Sequence, residues 1–215
     1  MKVMSIAGTR PEIIKQSRIY AKLDENFDHV LVFTNQNYTP ELSDIFFSDL
    51  QVRKPDYNLE IKTDSFGSEV SDLIFKIEKI MIKEKPDVLV LLGDVNSGLS
   101  AIPAANLGIK IVHLEAGMRS YDKRMPEEKN RVLIDHIATV NLPYIQYCRE
   151  NLIRENIHPS SIYVVGNPIF EVIKYYLPKI EASTILKKLK LDSNEFILVT
   201  AHRSENVDDP KTLKN

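Results

Sequence analysis

The 215-residue chain has one cysteine, Cys148, and no run of 18 apolar residues. A single thiol excludes an intrachain disulfide framework and fits a reducing compartment. Apolar runs this short do not span a bilayer, so no membrane segment is expected. The opening residues MKVMSIAGTRPE have too little apolar length for a secretory leader and no small-residue cleavage pattern, which makes a cytoplasmic location the expectation. An excess of one charge is missing as well: 28 Lys+Arg stand against 30 Asp+Glu, for a formal net charge of −2. Without a basic field nucleic acid is not an expected partner, and any anion site must be local. His113, His136 and His202 fall on separate elements without ligand spacing, so no metal site is expected. Asp-x-Asp is also absent, which weighs against metal-dependent glycosyl transfer.

What the chain does have is a regular alternation. β-Branched runs KVMSIA (2–7), HVLVFT (29–34), DVLVLLG (87–93), KIVHLE (110–115), ATVNL (138–142) and SIYVVG (161–166) predict strands, with FILVTA (196–201) after them. Helical patterns lie between them at 11–23, 65–85, 97–108, 126–138 and 146–157. Apolar strands separated by helices predict a parallel sheet covered on both faces, the doubly wound α/β class with a Rossmann-like sheet. Six strands complete such a sheet by Gly166, placing the first domain at 1–166. Residues 167–215 then read as a linker and the start of a second, incomplete domain: a charged helical stretch interrupted by Pro178, then one strand.

Ligands of open parallel sheets sit beyond the carboxyl ends of the strands. Those ends are Gly8-Thr9-Arg10, Asn35-Gln36-Asn37-Tyr38, Gly93-Asp94, Glu115-Ala116-Gly117 and Ala201-His202-Arg203. In GTRPEIIK, Gly8 permits a tight exit and Pro11 suits a first helical turn. The free N–H groups of that turn, the Arg10 fork and the Lys15 charge could receive an anion, or could belong to a plain capped helix. It is no Walker loop, since the second glycine and the Gly-Lys-Ser/Thr ending are missing. Asp94 reads as a helix cap or as an acid/base group. Glu115 closes a buried strand, where a carboxylate is costly unless paired, with Arg119 the expected partner, or used. Glu127 and Arg131 lie four residues apart on one helical face and read as an exposed ion pair. Cys148 reads as a packing residue.

Taken in order, GTRPEIIK, NQNY, GDVNS, HLEAGMR, MPEEKNR with a following DH, and AHRSENVD resemble the non-hydrolysing UDP-N-acetylglucosamine 2-epimerase family. The resemblance runs from Met1 to about Asp209 and implies a two-domain fold of the glycosyltransferase-B type, with the second domain truncated here. It implies C2 inversion of a UDP-linked 2-acetamido sugar by elimination and re-addition of UDP, for cell-surface polysaccharide precursors. The resemblance implies neither cofactor nor metal, and it implies a homodimer. By position it implies acid/base roles for Asp94, Glu115 and Glu127, and substrate binding by Arg10, Lys15, Arg131, His202 and Arg203. Asn35-Gln36-Asn37 and Gly93-Asp94-Val95-Asn96 depart from the Gly-Gln-His and Gly-Asp-Thr-Thr of many members. These departures, with FFSDLQVRKPDY (46–57) and NLPY (141–144), look more like the branch forming UDP-N-acetyl-L-fucosamine. Rival readings are a glycosyltransferase of the same fold, a hydrolysing relative and a non-enzymatic nucleotide-sugar binder.

Overall fold

Apolar residues alternate along each central strand, and both alternating sets are buried. In β1 (Lys2–Ala7), Met4 and Ile6 enter one core while Val3 and Ala7 face the opposite side. β2 (Asp28–Phe33) divides likewise into Val30 and Val32 against Leu31 and Phe33. A period of two with both faces buried requires a layer of helices on each side. The first face is covered by α2 (Phe66–Glu84), α3 (Ala101–Asn106) and α4 (Pro126–Ile137), through Ile77, Ile80, Met81, Ala101, Ala104 and Ile134. The second is covered by α1 (Arg10–Asn26), through Ile13 and Tyr20, with Ile19 and Leu23 packed beside Val3 and Leu92.

The computed structural model describes residues 1–34, 46–61, 64–193, 195–200 and 210. With β3 (Tyr57–Asn58), β4 (Val88–Leu92), β5 (Lys110–Leu114) and β6 (Val140–Leu142), the sheet has the order β3-β2-β1-β4-β5-β6, and every pair is parallel. This is the Rossmann order. Its topological switch point lies between β1 and β4, the crevice where such sheets bind ligands. Two compact units are present, Met1–Lys174 and Tyr175–Asn215, and the sheet lies in the first. No helix among the described residues is long and apolar enough to cross a membrane.

Several elements differ from expectation. The sixth strand is the two-residue β3, not residues 161–166. Ile162 makes only an isolated parallel bridge to Asn141, and Tyr163 and Val165 donate to the carbonyls of Asn141 and Pro143. Pro143 has no N–H with which to return a bond, so the ladder stops there. The helix expected over 97–108 is a 3-10 turn, Asn96–Ser100, followed by α3. Pro103 lacks the N–H that would bond back to Leu99, so regular α-helix begins only with Pro103 in its first turn. Among the described residues, 196–200 join no ladder, and Ile197 and Leu198 are 90% and 87% exposed. After α5 (Gln146–Arg154), α6 (Ile169–Glu181) continues through Pro178, whose carbonyl still accepts from the Ala182 N–H. A short α7 (Ile185–Leu189) follows.

Candidate active site

The turn from β1 into α1 is closed by a residue that the sequence reading passed over. Glu12 is 4% exposed, and its Oε2 accepts from the Gly8 N–H (2.9 Å), the Thr9 N–H (2.8 Å) and the Thr9 hydroxyl (2.9 Å). The Ser97 hydroxyl donates to its other oxygen at 2.7 Å. Burial raises the Glu12 pKa, and these four hydrogen bonds oppose the rise. Glu12 thus pins β1 to the turn after β4, across the switch point. The Gly8 and Thr9 N–H groups, at the entrance to α1, are therefore already bonded. The signal was present in the sequence as Thr9-x-x-Glu12, the spacing of a capping box.

β4 ends in Gly93, whose φ of +78° turns the chain sharply into Asp94. Asp94 caps no helix; it forms an ion pair with Arg131 of α4. Arg131 also stands 3.3 Å from Glu128, so its partners are Asp94 and Glu128 rather than the expected Glu127. α4 begins with Pro126 and turns Glu128 and Arg131, three residues apart, onto the face that meets these loops. Glu128 accepts from the Ser120 and Tyr121 N–H groups, each at 2.9 Å, and closes the 118–125 loop onto the helix. Burial would raise its pKa, but those bonds and Arg131 hold it below the ordinary value. Asn130 donates to the Asp94 carbonyl at 2.9 Å and to Asn96 at 3.1 Å.

Glu115 lies just past β5 with a left-handed φ of +68°, a conformation that a non-glycine residue adopts only under strain. Its Oε2 accepts from Lys15 at 2.5 Å and from the Tyr144 hydroxyl at 3.0 Å. Arg119, the expected partner, is committed elsewhere, to Asp135 at 2.8 Å and Glu155 at 2.6 Å. The reason is direction: after Gly117 turns at φ +75°, Arg119 points toward α4 and α5. Burial, then the Glu115 charge, pushes the Tyr144 pKa up, so the phenol stays a donor. Tyr144 gave no sequence signal for this contact, because only the fold brings residues 115 and 144 together.

Glu127 is half-buried and has no hydrogen bond among the described residues. It nonetheless acts on Asp94. Burial raises the Asp94 pKa, Arg131 opposes the rise, and the Glu115 and Glu127 charges add to it. Asp94, Glu115 and Glu127 therefore share one electrostatic neighbourhood at the switch point. Arg10 is exposed, with its guanidinium 6.0 Å from the Phe46 ring, and pairs with none of the three carboxylates. His202 and Arg203 lie outside the described residues, as do Asn35, Gln36, Asn37 and Tyr38. Among the described residues no group of three or more His, Cys, Asp or Glu is placed to hold a metal ion. Cys148 is buried, with its thiol 3.3 Å from the Met118 sulfur and its pKa raised by burial.

Paired cations and crowded carboxylates at this crevice suit proton transfer beside an anionic leaving group. A family profile described as UDP-N-acetylglucosamine 2-epimerase matches residues 21–215. The UDP-N-acetylglucosamine 2-epimerase of Methanocaldococcus jannaschii is 42% identical over 100% of this chain and 60% of its own length. Its crystal structure in complex with UDP-GlcNAc and UDP superposes with a TM-score of 0.90, at 40% identity, over 100% of this chain and 60% of that one. The UDP-N-acetylglucosamine 2-epimerase structure from Rickettsia bellii gives a TM-score of 0.91 at 42% identity, covering 97% of this chain and 56% of that one. This chain therefore spans about 60% of the length of the curated relative it matches. With the profile match covering most of its residues, the chain belongs to the UDP-N-acetylglucosamine 2-epimerase family.

Proposed function

We propose that this chain supplies the acid/base half of an enzyme that inverts C2 of a UDP-linked 2-acetamido sugar. The observation that supports this reading is the setting of Asp94 at the end of a central strand: it is ion-paired with Arg131, and its pKa is raised by burial and further by the Glu115 and Glu127 charges. A sugar C2–H is not acidic by itself. As the C1–O bond to UDP breaks, positive charge grows at C1 and the adjacent C2–H becomes removable. One carboxylate takes that proton, UDP leaves with the C1–O electron pair, and a C1=C2 double bond forms. A carboxyl group on the other face, protonated at the outset, then gives its proton to C2 and becomes a carboxylate while a UDP oxygen re-adds to C1, so atoms and charge balance. A carboxyl with a raised pKa serves both directions, because it can hold a proton and give it back.

Arg10 and Lys15, with His202 and Arg203 by family position, are the cations proposed to receive the diphosphate. Lys15 pairs with Glu115 here, so in this reading an arriving phosphate competes with that carboxylate for the lysine. UDP-N-acetylglucosamine is the proposed substrate, and a cytoplasmic homodimer is part of the same reading. Sedimentation equilibrium of the full chain returning a monomer would remove the dimer alone.

The test is to incubate the full chain with UDP-N-acetylglucosamine in D2O, with no acceptor, and to follow C2 by proton NMR. Inversion with deuterium incorporation is expected, and Asp94→Asn should abolish it. A sugar that keeps its C2 proton and configuration, or reacts only when an acceptor is added, overturns the proposal.

A further inference from the structure

The Asp135-His136 pair that follows MPEEKNR takes no part in the carboxylate cluster, yet Asp135 is 1% exposed and saturated with partners. Its Oδ1 is 2.8 Å from His113 Nδ1. On the far side of that ring, Nε2 is 2.8 Å from the Gly93 carbonyl, the peptide oxygen immediately before Asp94. Its Oδ2 accepts from the Gly117 N–H at 3.1 Å, two residues past Glu115, and from Arg119 at 2.8 Å. The Asp135 carbonyl accepts from Asn141 Nδ2 at 3.0 Å, holding the end of α4 to β6. One side chain is thus bonded to the Glu115 loop directly and to the Asp94 loop through a single imidazole.

His113 is 0% exposed, so neither it nor Asp135 can touch a substrate. Both ring nitrogens have a partner, the Asp135 carboxylate on one side and the Gly93 carbonyl on the other, so the ring bridges the two. The pair acts as a rigid spacer between two backbone turns: Gly93 at φ +78°, which glycine adopts without strain, and Glu115 at φ +68°, which is strained. A turn held in an unfavourable backbone state persists only when its surroundings over-determine it.

We propose that Asp135 and His113 are positioning residues that fix the Asp94 and Glu115 carboxylates relative to one another, so that both reach C2. The proposal rests on the epimerisation reading above. A carboxylate must approach its proton to roughly 2.6–3.2 Å, and misplacement by about 1 Å can lower a rate on the order of 100-fold. Tether length matters here more than tether charge. In Asp135→Asn the amide can donate to a neutral His113 whose Nε2–H still holds Gly93, while the amide oxygen still accepts from Gly117. Leucine at either position removes the tether.

The experiment compares kcat and KM for His113→Leu, Asp135→Leu and Asp135→Asn in the full chain, with Asp94→Asn alongside. The expected result is a kcat loss of roughly 30–100-fold in both leucine variants. KM should stay within about 3-fold, and Asp135→Asn should keep kcat within about 5-fold of the parent. Folded leucine variants with parental kcat would overturn the proposal. An Asp135→Asn variant as slow as Asp135→Leu would overturn it too, because charge rather than position would then be at work. If the leucine variants do not fold, nitrogen-15 NMR of the unmodified protein decides. Hydrogen bonds from the His113 ring to both Asp135 and Gly93 support the spacer, and a ring unbonded on either side refutes it. Parental activity in Asp94→Asn would sink the epimerisation reading itself, an outcome distinct from failure of the tether.

Discussion

Replacing Gly117 with alanine tests how tightly the Glu115 loop is clamped against α5. At Gly117 the backbone has φ +75°, and an added Cβ would lie 2.2 Å from the Cys148 carbonyl oxygen and 2.9 Å from Leu152 Cγ, where ordinary contact begins at 3.4 Å. The carbonyl belongs to helical backbone and cannot swing aside as a side-chain tip can. Alanine in the left-handed region costs roughly 1–2 kcal/mol, and forcing an atom into packed surroundings adds roughly 1–3 kcal/mol. The sum, about 2–5 kcal/mol, should lower Tm by about 5–15 °C for a chain of this size. Thermal unfolding followed by circular dichroism at neutral pH measures it. Gly98→Ala is the comparator: its Cβ would meet Ile134 Cδ1 at 2.6 Å, the flexible end of a side chain, so the loss should be smaller. A Gly117→Ala melt within about 1 °C of the parent, or higher than that of Gly98→Ala, would refute the reasoning.

Other expectations follow from single side chains. Gln16 is 0% exposed, and among the described residues neither polar atom of its amide has a hydrogen-bond partner, so Gln16→Leu should raise urea stability by about 1–2 kcal/mol; a decrease would mean that the amide is bonded after all. His29 is held neutral in the fold, with Nδ1 2.6 Å from Asp24 and Nε2 2.7 Å from the Ser5 hydroxyl, and burial lowers its pKa despite the Asp24 hydrogen bond. A folded pKa below the unfolded value gives stability that is full above about pH 6.5 and is lost as pH falls through the folded pKa. Urea midpoints should therefore fall below pH 6.5, less steeply in His29→Phe, and equal slopes would remove His29 as the cause. Tyr144→Phe leaves Glu115 held by Lys15 alone and should slow C2 exchange by roughly 10-fold. An unchanged rate would detach Tyr144 from the chemistry.

The central strands were legible because an apolar, β-branched run in β1, β2 and β4 is a local property of consecutive residues. Their carboxyl ends, and with them Asp94 and Glu115, followed from topology alone. Pairing was not legible. Lys15 reaches Glu115 across 100 residues of sequence, and Arg119, two residues past a turning glycine, points away from the carboxylate that proximity suggested. On α4 the spacing of Glu127 and Arg131 is right for an ion pair, yet Asp94 and Glu128 outcompete Glu127 because the packed loops bring them nearer. β3 escaped notice because two residues show no period. Glu12 left a spacing signature that an emphasis on free N–H groups obscured.

Glu115 carries one last consequence. The twist imposed on its backbone is one that glycine would accept without penalty, so a glycine there would relieve roughly 1–2 kcal/mol of strain. Robustness and acidity pull in opposite directions at this position. A chain tuned only to survive heating would give up the carboxylate, and this one keeps it.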